Sequence, residues 1–213
     1  MTQPLEFTLR IVGAGIVLCS LLVVIDRTVR RASDSAFPRK LAHILCGLII
    51  LPLPAILGRA GIEVLGIAFI PGLLFSRHFN LLPTLHESEQ SSFGEIAYPA
   101  GIVLLTGAGL SVQAWEYGIC AMCFADPIAA LVGRKYGRHQ FKTLGAVKSL
   151  EGAGACALAC WIAATFISGN PAFAFVTAGV AIGSSLVESL IGFGLDNLVL
   201  PLAAGLLFAL LVR

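Results

Sequence analysis

The segment AFAFVTAGVAIGSSLVESLIGFGLDNLVLPLAAGLLFALLV, residues 172–212, consists of two apolar runs joined by a short stretch that carries Glu188, Asp196 and Asn197. A helix needs about 20 mostly apolar residues to cross the hydrocarbon core of a bilayer. The two runs approach this length, and the Gly-Phe-Gly sequence between them permits a sharp reversal of the chain. The segment therefore predicts two membrane helices with carboxylates where they meet.

The composition of the whole chain agrees with this interpretation. Hydrophobic residues make up 57% of the 213 residues and charged residues only 12%, whereas an ordinary soluble domain carries roughly 25% charged residues. The chain is therefore expected to be an integral membrane protein. Its formal net charge of +2 is too small to favour a nucleic acid as a partner.

Similar apolar runs recur along the chain. They predict an all-α, polytopic helix bundle with about eight (seven to eight) transmembrane helices. No linker or low-complexity tract divides the sequence, so residues 1–213 are expected to form one domain. Glu6 precedes the first run and no small-residue cleavage site follows it, which indicates a retained helix rather than a signal peptide. The runs are 9–25, 40–57, 62–75, 96–110, 115–132, 152–167, 172–190 and 198–212.

Alternating spans would gather the polar residues on one side of the membrane. Of the 14 Lys and Arg residues, only Arg10, Arg59 and Arg213 fall on the other side. The positive-inside rule makes the basic side cytoplasmic, so both termini are expected on the opposite side. The cytoplasmic side also receives all 4 histidines and most of the acids. Loop residues on that side include Arg30, Arg31, Asp34, Glu87 and Glu89.

The 6 cysteines all lie within apolar runs. A thiol in such surroundings is usually a packing residue. Cys120 and Cys123 form a C-x-x-C pair, but there is no second pair to complete a metal site. We therefore expect the cysteines to pack and not to bind metal.

Asp126 lies inside the run 115–132. An Asp near the centre of a membrane helix costs about 2.5–3.5 kcal/mol on insertion scales. Its presence therefore indicates a partner, either a metal ion or proton that serves a function, or a Lys or Arg of a neighbouring helix.

The segment that follows Asp126 is rich in cations and glycines. Arg and Lys side chains on a flexible backbone are typical of polyphosphate sites, although cytoplasmic loops are also basic for topological reasons alone. No G-x-x-x-x-G-K-[ST] motif is present, which disfavours a P-loop kinase or ATPase. The cations are Arg134, Lys135, Arg138, Lys142 and Lys148, with His139 among them.

Three more polar groups complete the predicted face. Glu188 and Asp196, with Asn197, suit the oxygen shell of Mg²⁺, although Asp196 could instead cap the last helix. Arg39, Lys40 and His43 form an R-K-x-x-H motif on one helix face, which is also typical of a basic membrane anchor. Glu95 begins the run 96–110, where a helix dipole favours an acid in any case.

The order of these motifs resembles the CTP-dependent lipid-alcohol kinases, which include phytol kinase, dolichol kinase and CTP-dependent diacylglycerol kinase. R-K-x-x-H is followed by G-E, D-P-x-A-x-L-V-G-R-K-Y-G, K-S-x-E-G, V-E-S and D-N. The similarity covers residues 37–213. This chain departs from the family pattern at Ala153, where Ser or Thr is common, and at Ile191, where Pro is common.

The resemblance implies that a phosphoryl group passes from CTP, with Mg²⁺, to the hydroxyl of a membrane lipid alcohol. Phytol or another prenol is the expected alcohol, with a longer polyprenol or diacylglycerol as alternatives. Asp126, Lys148 and His43 are the implied catalytic residues, and either Asp126 or His43 would take the proton. Asp126, Glu188 and Asp196 would hold the metal.

The remaining motif residues have implied roles in binding. Those expected at the nucleotide are Arg134, Lys135, Lys142, Lys148, Ser149, Glu151 and Gly152. Those expected to position substrate or phosphate are Arg39, Lys40, His43, Glu95 and Asn197.

Other functions remain open at this point. Relatives of the family include phosphatidate cytidylyltransferases, so nucleotidyl transfer is one alternative. A small transporter is another, although it predicts acids at the membrane midplane and a polar exit on the far side. A non-catalytic scaffold would show no nucleotide dependence. The sequence carries no signal for an oligomeric state.

Overall fold

The computed structural model describes residues 2–29, 37–86 and 93–212, and its helices follow the apolar runs. Arg30, Arg31, Asp34, Glu87 and Glu89 lie outside the described residues. The helices are α1 (Thr2–Val29), α2 (Phe37–Ile50), α3 (Leu53–His78), α4 (Pro83–His86), α5 (Gly94–Gly107), α6 (Val112–Cys120), α7 (Asp126–Tyr136), α8 (Leu150–Ser168), α9 (Ala174–Leu190) and α10 (Asp196–Leu211).

The chain is a multi-pass membrane protein of the all-α class. Within the described ranges, five helical segments are long and apolar enough to cross a membrane: Pro4–Val29, Leu53–His78, Val112–Tyr136, Leu150–Ser168 and Pro171–Leu190. Helices α2, α5 and α10 have 14, 14 and 16 residues. At about 1.5 Å per residue they are roughly 21–24 Å long, less than the ~30 Å hydrocarbon core. The count of eight crossings therefore stays a prediction.

The second apolar run is not one helix. We expected it to extend over 40–57, but α2 ends at Ile50 and α3 begins at Leu53. Pro52 is the N-cap of α3 and a second proline occupies its first turn, positions where the missing N–H costs least. Gly58, with φ of 65°, then kinks α3. The chain therefore turns between α2 and α3 instead of continuing as one helix.

A π-helical turn precedes Asp126. Helix α6 continues through the π turn Ala121–Ala125 directly into α7, and the Asp126 N–H donates to the Ala121 carbonyl. Pro127 has no N–H for the helical ladder, so a wider turn suits this point. Single π turns of this kind are frequent at functional sites. Gly47 of α2 packs against the turn, and a Cβ there would lie 2.8 Å from Cys123 Sγ.

Part of the basic segment forms a β-hairpin rather than an irregular loop. Strands β1 (Gln140–Thr143) and β2 (Ala146–Ser149) pair antiparallel. Gly145, at the second turn position, has φ of +83°, which glycine adopts without strain. Leu144 forms a parallel bridge with Ile191, and this contact docks the hairpin on the turn between α9 and α10.

The polar groups gather at one end of the bundle, here called the polar end. Helices α2, α5, α8 and α10 begin there, and α3, α7 and α9 end there. Asn197 Nδ2 donates to the Gly94 carbonyl at this end (3.1 Å). At the opposite end, Arg10 donates to the Ile56 carbonyl (3.1 Å) and Arg59 to the Leu110 carbonyl. Helix α1 starts and α10 finishes at that opposite end. Which end faces the cytoplasm, and therefore the side of the membrane on which the termini lie, stays a prediction.

Candidate active site

Three carboxylates converge at the polar end. Asp126 begins α7 after the π turn, Glu188 lies in the last turn of α9 and Asp196 begins α10. One carboxylate oxygen of each lies within 4.8 Å of the other two. Asp126 and Glu188 are buried, and the Asp196 side chain is 13% exposed. The structure thus brings together the three residues expected to hold a metal.

Two lysines compensate this negative charge. Lys40 Nζ lies 2.6 Å from Asp126 Oδ2. Lys148 Nζ lies 2.6 Å from Glu188 Oε1 and 3.6 Å from Asp196 Oδ2. Buried carboxylates require such partners because the cost of removing each charge from water is several kcal/mol. The alternative that Asp126 pairs with a basic residue of a neighbouring helix is therefore realised in Lys40, beside the other two acids.

The carboxylates also fit a divalent cation. Mg²⁺ takes oxygen ligands at about 2.0–2.1 Å, so in an octahedral shell opposite ligands lie roughly 4.2 Å apart and neighbouring ligands about 3 Å apart. The three carboxylate oxygens lie within 4.8 Å of one another and would have to move closer together to share one ion. Asp196 also accepts the Asn197 N–H through Oδ1 (3.0 Å). One oxygen of Asp196 therefore binds a backbone N–H at the start of α10, while the other lies 3.6 Å from Lys148 Nζ.

His43 lies beside this cluster. Its Nδ1 is 3.9 Å from Asp126 Oδ2, which is too long for a hydrogen bond. Among the described residues this buried Nδ1 has no hydrogen-bond partner. The His43 ring centroid lies 4.6 Å from that of Tyr98, and the Tyr98 hydroxyl donates to the His43 carbonyl (3.2 Å). The imidazole is thus oriented but retains a ring nitrogen for chemistry.

The sequence analysis assigned no site role to Tyr98. The available signal was its position three residues after Glu95, because residues i and i+3 share a helix face. The Tyr98 hydroxyl also lies 3.0 Å from Cys123 Sγ in the π turn. Tyr98 therefore connects α5, α2 and the π turn beside Asp126.

Glu95 is held by residues that the sequence analysis did not assign to the site. Arg77 Nη1 lies 3.0 Å from its Oε1, and His86 Nδ1 lies 2.5 Å from its Oε2. His86 Nε2 in turn lies 3.0 Å from Ser76 Oγ. No spacing in the sequence indicates these pairs, because they join the end of α3, α4 and the start of α5. The Glu95 carboxylate is consequently held by Arg77 and His86 in addition to the favourable helix dipole.

The basic residues that follow Asp126 do not all lie at the site. Lys148 reaches the carboxylates, and Arg134 lines the cavity described below. In the hairpin, Lys142 pairs across from Val147 and Lys148 from Phe141, so Lys142 and Lys148 lie on opposite faces. Lys135 is exposed, with its Nζ 5.2 Å from the Tyr136 ring centroid.

The K-S-x-E-G residues after Lys148 make structural contacts. Ser149 caps α8, and its hydroxyl accepts the Gly152 N–H (3.1 Å). A Cβ at Gly152 would lie 2.8 Å from the Ala129 carbonyl. Glu151 bonds His139 Nδ1 (2.7 Å). These residues attach α8 and the hairpin to α7, and so they support the position of Lys148.

A cavity of about 480 Å³ opens beside the carboxylate cluster, with Asp196 in its wall. All five residues expected to position substrate or phosphate line it: Arg39, Lys40, His43, Glu95 and Asn197. Asn197 is buried, and its Oδ1 has no hydrogen-bond partner among the described residues. Beyond this polar mouth the cavity continues between α1, α2, α3 and α5 as an apolar limb lined by Leu18, Cys46, Ile50, Leu53, Ile62 and Ile102.

Three helix N-termini meet at the mouth of the cavity. Helices α2, α5 and α10 begin there, and at the start of α10 the Asp196 carboxylate accepts the Asn197 N–H. Helix N-termini carry unpaired N–H groups and a partial positive charge. Together with Arg39 and Arg134 they make the mouth suitable for phosphate oxygens.

Four of the cysteines, Cys46, Cys123, Cys156 and Cys160, are buried, whereas Cys120 is half-buried and Cys19 is exposed. All 6 lie in the described ranges and are unpaired. Cys123, Cys156 and Cys160 are fully buried within apolar clusters. Cys120 and Cys123 belong to the helix that carries Asp126, so their spacing reflects helix packing.

Comparison with known proteins identifies the family. The phytol kinase of Synechocystis sp. (strain ATCC 27184 / PCC 6803 / Kazusa) is 35% identical over 190 residues, which cover 82% of this chain and 79% of that protein. No protein-family model and no solved structure matches the chain. The similarity inferred from the motif order is thereby confirmed. This membrane protein belongs to the family of lipid-alcohol kinases that includes phytol kinase.

Proposed function

We propose that the protein transfers the γ-phosphoryl group of CTP to the hydroxyl of a prenol, most directly phytol, in the presence of Mg²⁺. The observation that carries this proposal is the cluster of three carboxylates and two lysines, of which Asp196 and Lys40 line the polar mouth of a cavity that continues into an apolar limb. Phosphoryl transfer depends mainly on positioning and charge neutralisation. A site that joins a charged mouth to an apolar limb suits one charged and one lipid substrate.

The two substrates are inferred from different sources. The name of the Synechocystis relative supports phytol as the acceptor. The order of the sequence motifs supports CTP as the donor. Asp126, Glu188 and Asp196 would hold Mg²⁺, which supplies charge neutralisation at the phosphates when bound.

The chain's own cations complete the phosphate site. Arg39 and Arg134 line the mouth, where guanidinium groups can make paired hydrogen bonds to phosphate oxygens. Lys148 contacts Glu188 and Asp196, and from there its ammonium offers a point charge to the same anion.

His43 is the better placed proton acceptor. Asp126 already pairs with Lys40 at 2.6 Å, whereas His43 lines the cavity and its buried Nδ1 has no hydrogen-bond partner in the described part of the chain. In the proposed step the alcohol oxygen bonds to the γ-phosphorus as the bond from that phosphorus to the bridging oxygen breaks. The alcohol proton passes to His43, and CDP leaves.

The test is phosphoryl transfer by purified protein in detergent with Mg²⁺. CTP labelled at the γ-phosphate, CTP labelled at the α-phosphate and γ-labelled ATP would each be offered with phytol, a polyprenol or diacylglycerol. Label from γ-CTP on phytol, lost on chelation and restored by Mg²⁺, is the expected result. Label from α-CTP on a lipid would instead establish cytidylyl transfer. No transfer and no nucleotide binding would contradict both enzymatic functions.

Asp126→Asn is the informative variant. It removes one charge from the acidic cluster at nearly constant volume, and we expect activity to fall about 100-fold, the scale of losing a group that stabilises developing charge. Glu116→Gln, on the same continuous helix but toward the opposite end, is the matched control. Near wild-type turnover by Asp126→Asn would remove Asp126 from both the metal and the base roles.

A further inference from the structure

The apolar limb of the cavity has a defined length. Its walls come from α1, α2, α3 and α5, and α2 runs beside it from Lys40 at the mouth to Ile50 at the far end. The ten residue-to-residue steps from Lys40 to Ile50 span about 15 Å at ~1.5 Å per residue. Because carbon–carbon bonds of about 1.5 Å zigzag, each bond of an extended chain advances roughly 1.25 Å, so that depth holds about a dozen bonds.

The far end of the limb is closed by packed side chains. Ile50, Leu53 and Ile62 are 6%, 5% and 3% exposed and line the cavity where α2 turns into α3. Leu57, buried in the same apolar cluster, packs with them. The turn at Pro52 and the kink at Gly58 hold this end of α2 and α3 in place. A chain that enters from the mouth therefore meets a floor.

The volume restricts the occupant to one chain. About 480 Å³ for mouth and limb together is within the range of sites for a single small ligand. A long polyprenol or a lipid with two acyl chains exceeds that space. A single prenyl chain of the farnesyl-to-phytyl size fills the limb, with a bend for the longer member.

We propose that the limb binds the alcohol's chain with its hydroxyl at His43, and that Ile50, Leu53 and Ile62 are specificity-determining residues that set the longest chain enclosed. This inference rests on the proposed function, since it assigns the second half of the same site. Apolar walls contribute affinity for each methylene group buried. The affinity for an alcohol should therefore rise with chain length until the chain reaches the closed end of the limb.

Activity against a series of alcohols tests the floor. Ile50→Phe raises it, so kcat/KM for phytol and geranylgeraniol should fall about tenfold, as expected when roughly two methylene groups are displaced. Geraniol, which does not reach the floor, should change less than about twofold. Ile50→Ala lowers the floor and should shift the preference toward longer prenols.

Leu48 supplies the matched control. It lies on α2 two residues before Ile50 but is 56% exposed on the outer face. Leu48→Phe and Leu48→Ala should leave the length profile unchanged. A profile that moves equally for both positions, or an Ile50→Phe variant that loses all alcohols to the same degree, would overturn the assignment.

Photo-crosslinking gives a measurement that needs neither turnover nor a folded variant. A prenol with a diazirine at the end far from its hydroxyl would be bound to the wild-type protein, irradiated and mapped by mass spectrometry. Adducts at Ile50, Leu53 or Ile62 that unlabelled phytol displaces are expected. Adducts confined to outward-facing residues such as Leu48 and Val64 would contradict the chain site. If no alcohol is phosphorylated while these adducts form, the kinase function fails and the chain site stands.

Discussion

Lys148 contacts two of the three carboxylates and reaches them from a hairpin that lies outside the membrane helices in sequence. Its Nζ bonds both the side chain and the main-chain carbonyl of Glu188 and lies 3.6 Å from Asp196. Its side chain is 14% exposed and that of Glu188 is 5% exposed. Removing one member of a buried pair is costly because the other charge remains buried without compensation.

Lys148→Met should therefore lower both stability and activity. We expect a loss of about 3 kcal/mol in the free energy of unfolding, the scale for breaking a buried pair. In Lys148→Met/Glu188→Met no carboxylate of this pair remains, so stability should largely return while activity stays absent. Thermal unfolding in detergent and the phosphoryl-transfer assay measure the two effects.

Lys142→Met, on the outer face of the same hairpin, is the stability control. Recovery of activity in the double variant would show that the pair is only structural.

At the scale of elements, the hairpin depends on one glycine. Gly145 has φ of +83°, and a Cβ there would collide with the Phe193 ring. The contact joins the hairpin to the turn between α9 and α10, which carries Asp196 at its end. The position of Lys148 relative to Glu188 and Asp196 is thus set by the docking of two connecting segments.

Gly145→Ala should disrupt this docking. The added methyl meets both a steric clash and a left-handed backbone conformation, so we expect lower thermal stability and loss of most activity. Gly154→Ala is the control, because Gly154 lies in α8 with no atom within 4 Å of a Cβ and alanine is favoured in helices. Equal behaviour of the two variants in the same assays would contradict a structural role for the docking.

Element lengths could be predicted from sequence only in part. The apolar runs predicted every long helix because a membrane helix must satisfy its own backbone groups and face lipid. The break at Leu51 and Pro52 was missed, since prolines are also tolerated inside membrane helices. The pattern of polar and apolar side chains does not indicate the π turn before Asp126. The turn depends instead on the missing N–H of Pro127 and on the close packing of Gly47, which change the backbone hydrogen bonds of this helix.

At the scale of the molecule, the orientation in the membrane is testable. Basic residues dominate the polar end, so Lys142→Cys on the exposed hairpin should react with an impermeant maleimide only from the cytoplasmic side. Gln113→Cys, exposed at the opposite end, should react only from the other side. The wild-type protein reports labelling of the native cysteines. Reversed labelling in sealed vesicles of known orientation would place the site outside the cytoplasm.

The sequence by itself determined the membrane class, the positions of the long helices and the identity of the acidic residues, because burial of charge is costly and an intramembrane carboxylate signals a need for partners. Asp126 was recognisable from its setting inside an apolar run, and Glu188 and Asp196 from their positions where the last two runs meet. Only the tertiary structure decided which cation meets which acid, that Arg77 and His86 hold Glu95, and that an apolar limb ends at Ile50, Leu53 and Ile62. Such contacts join helices far apart in the chain, and apolar periodicity specifies which face is buried but not which helix covers it.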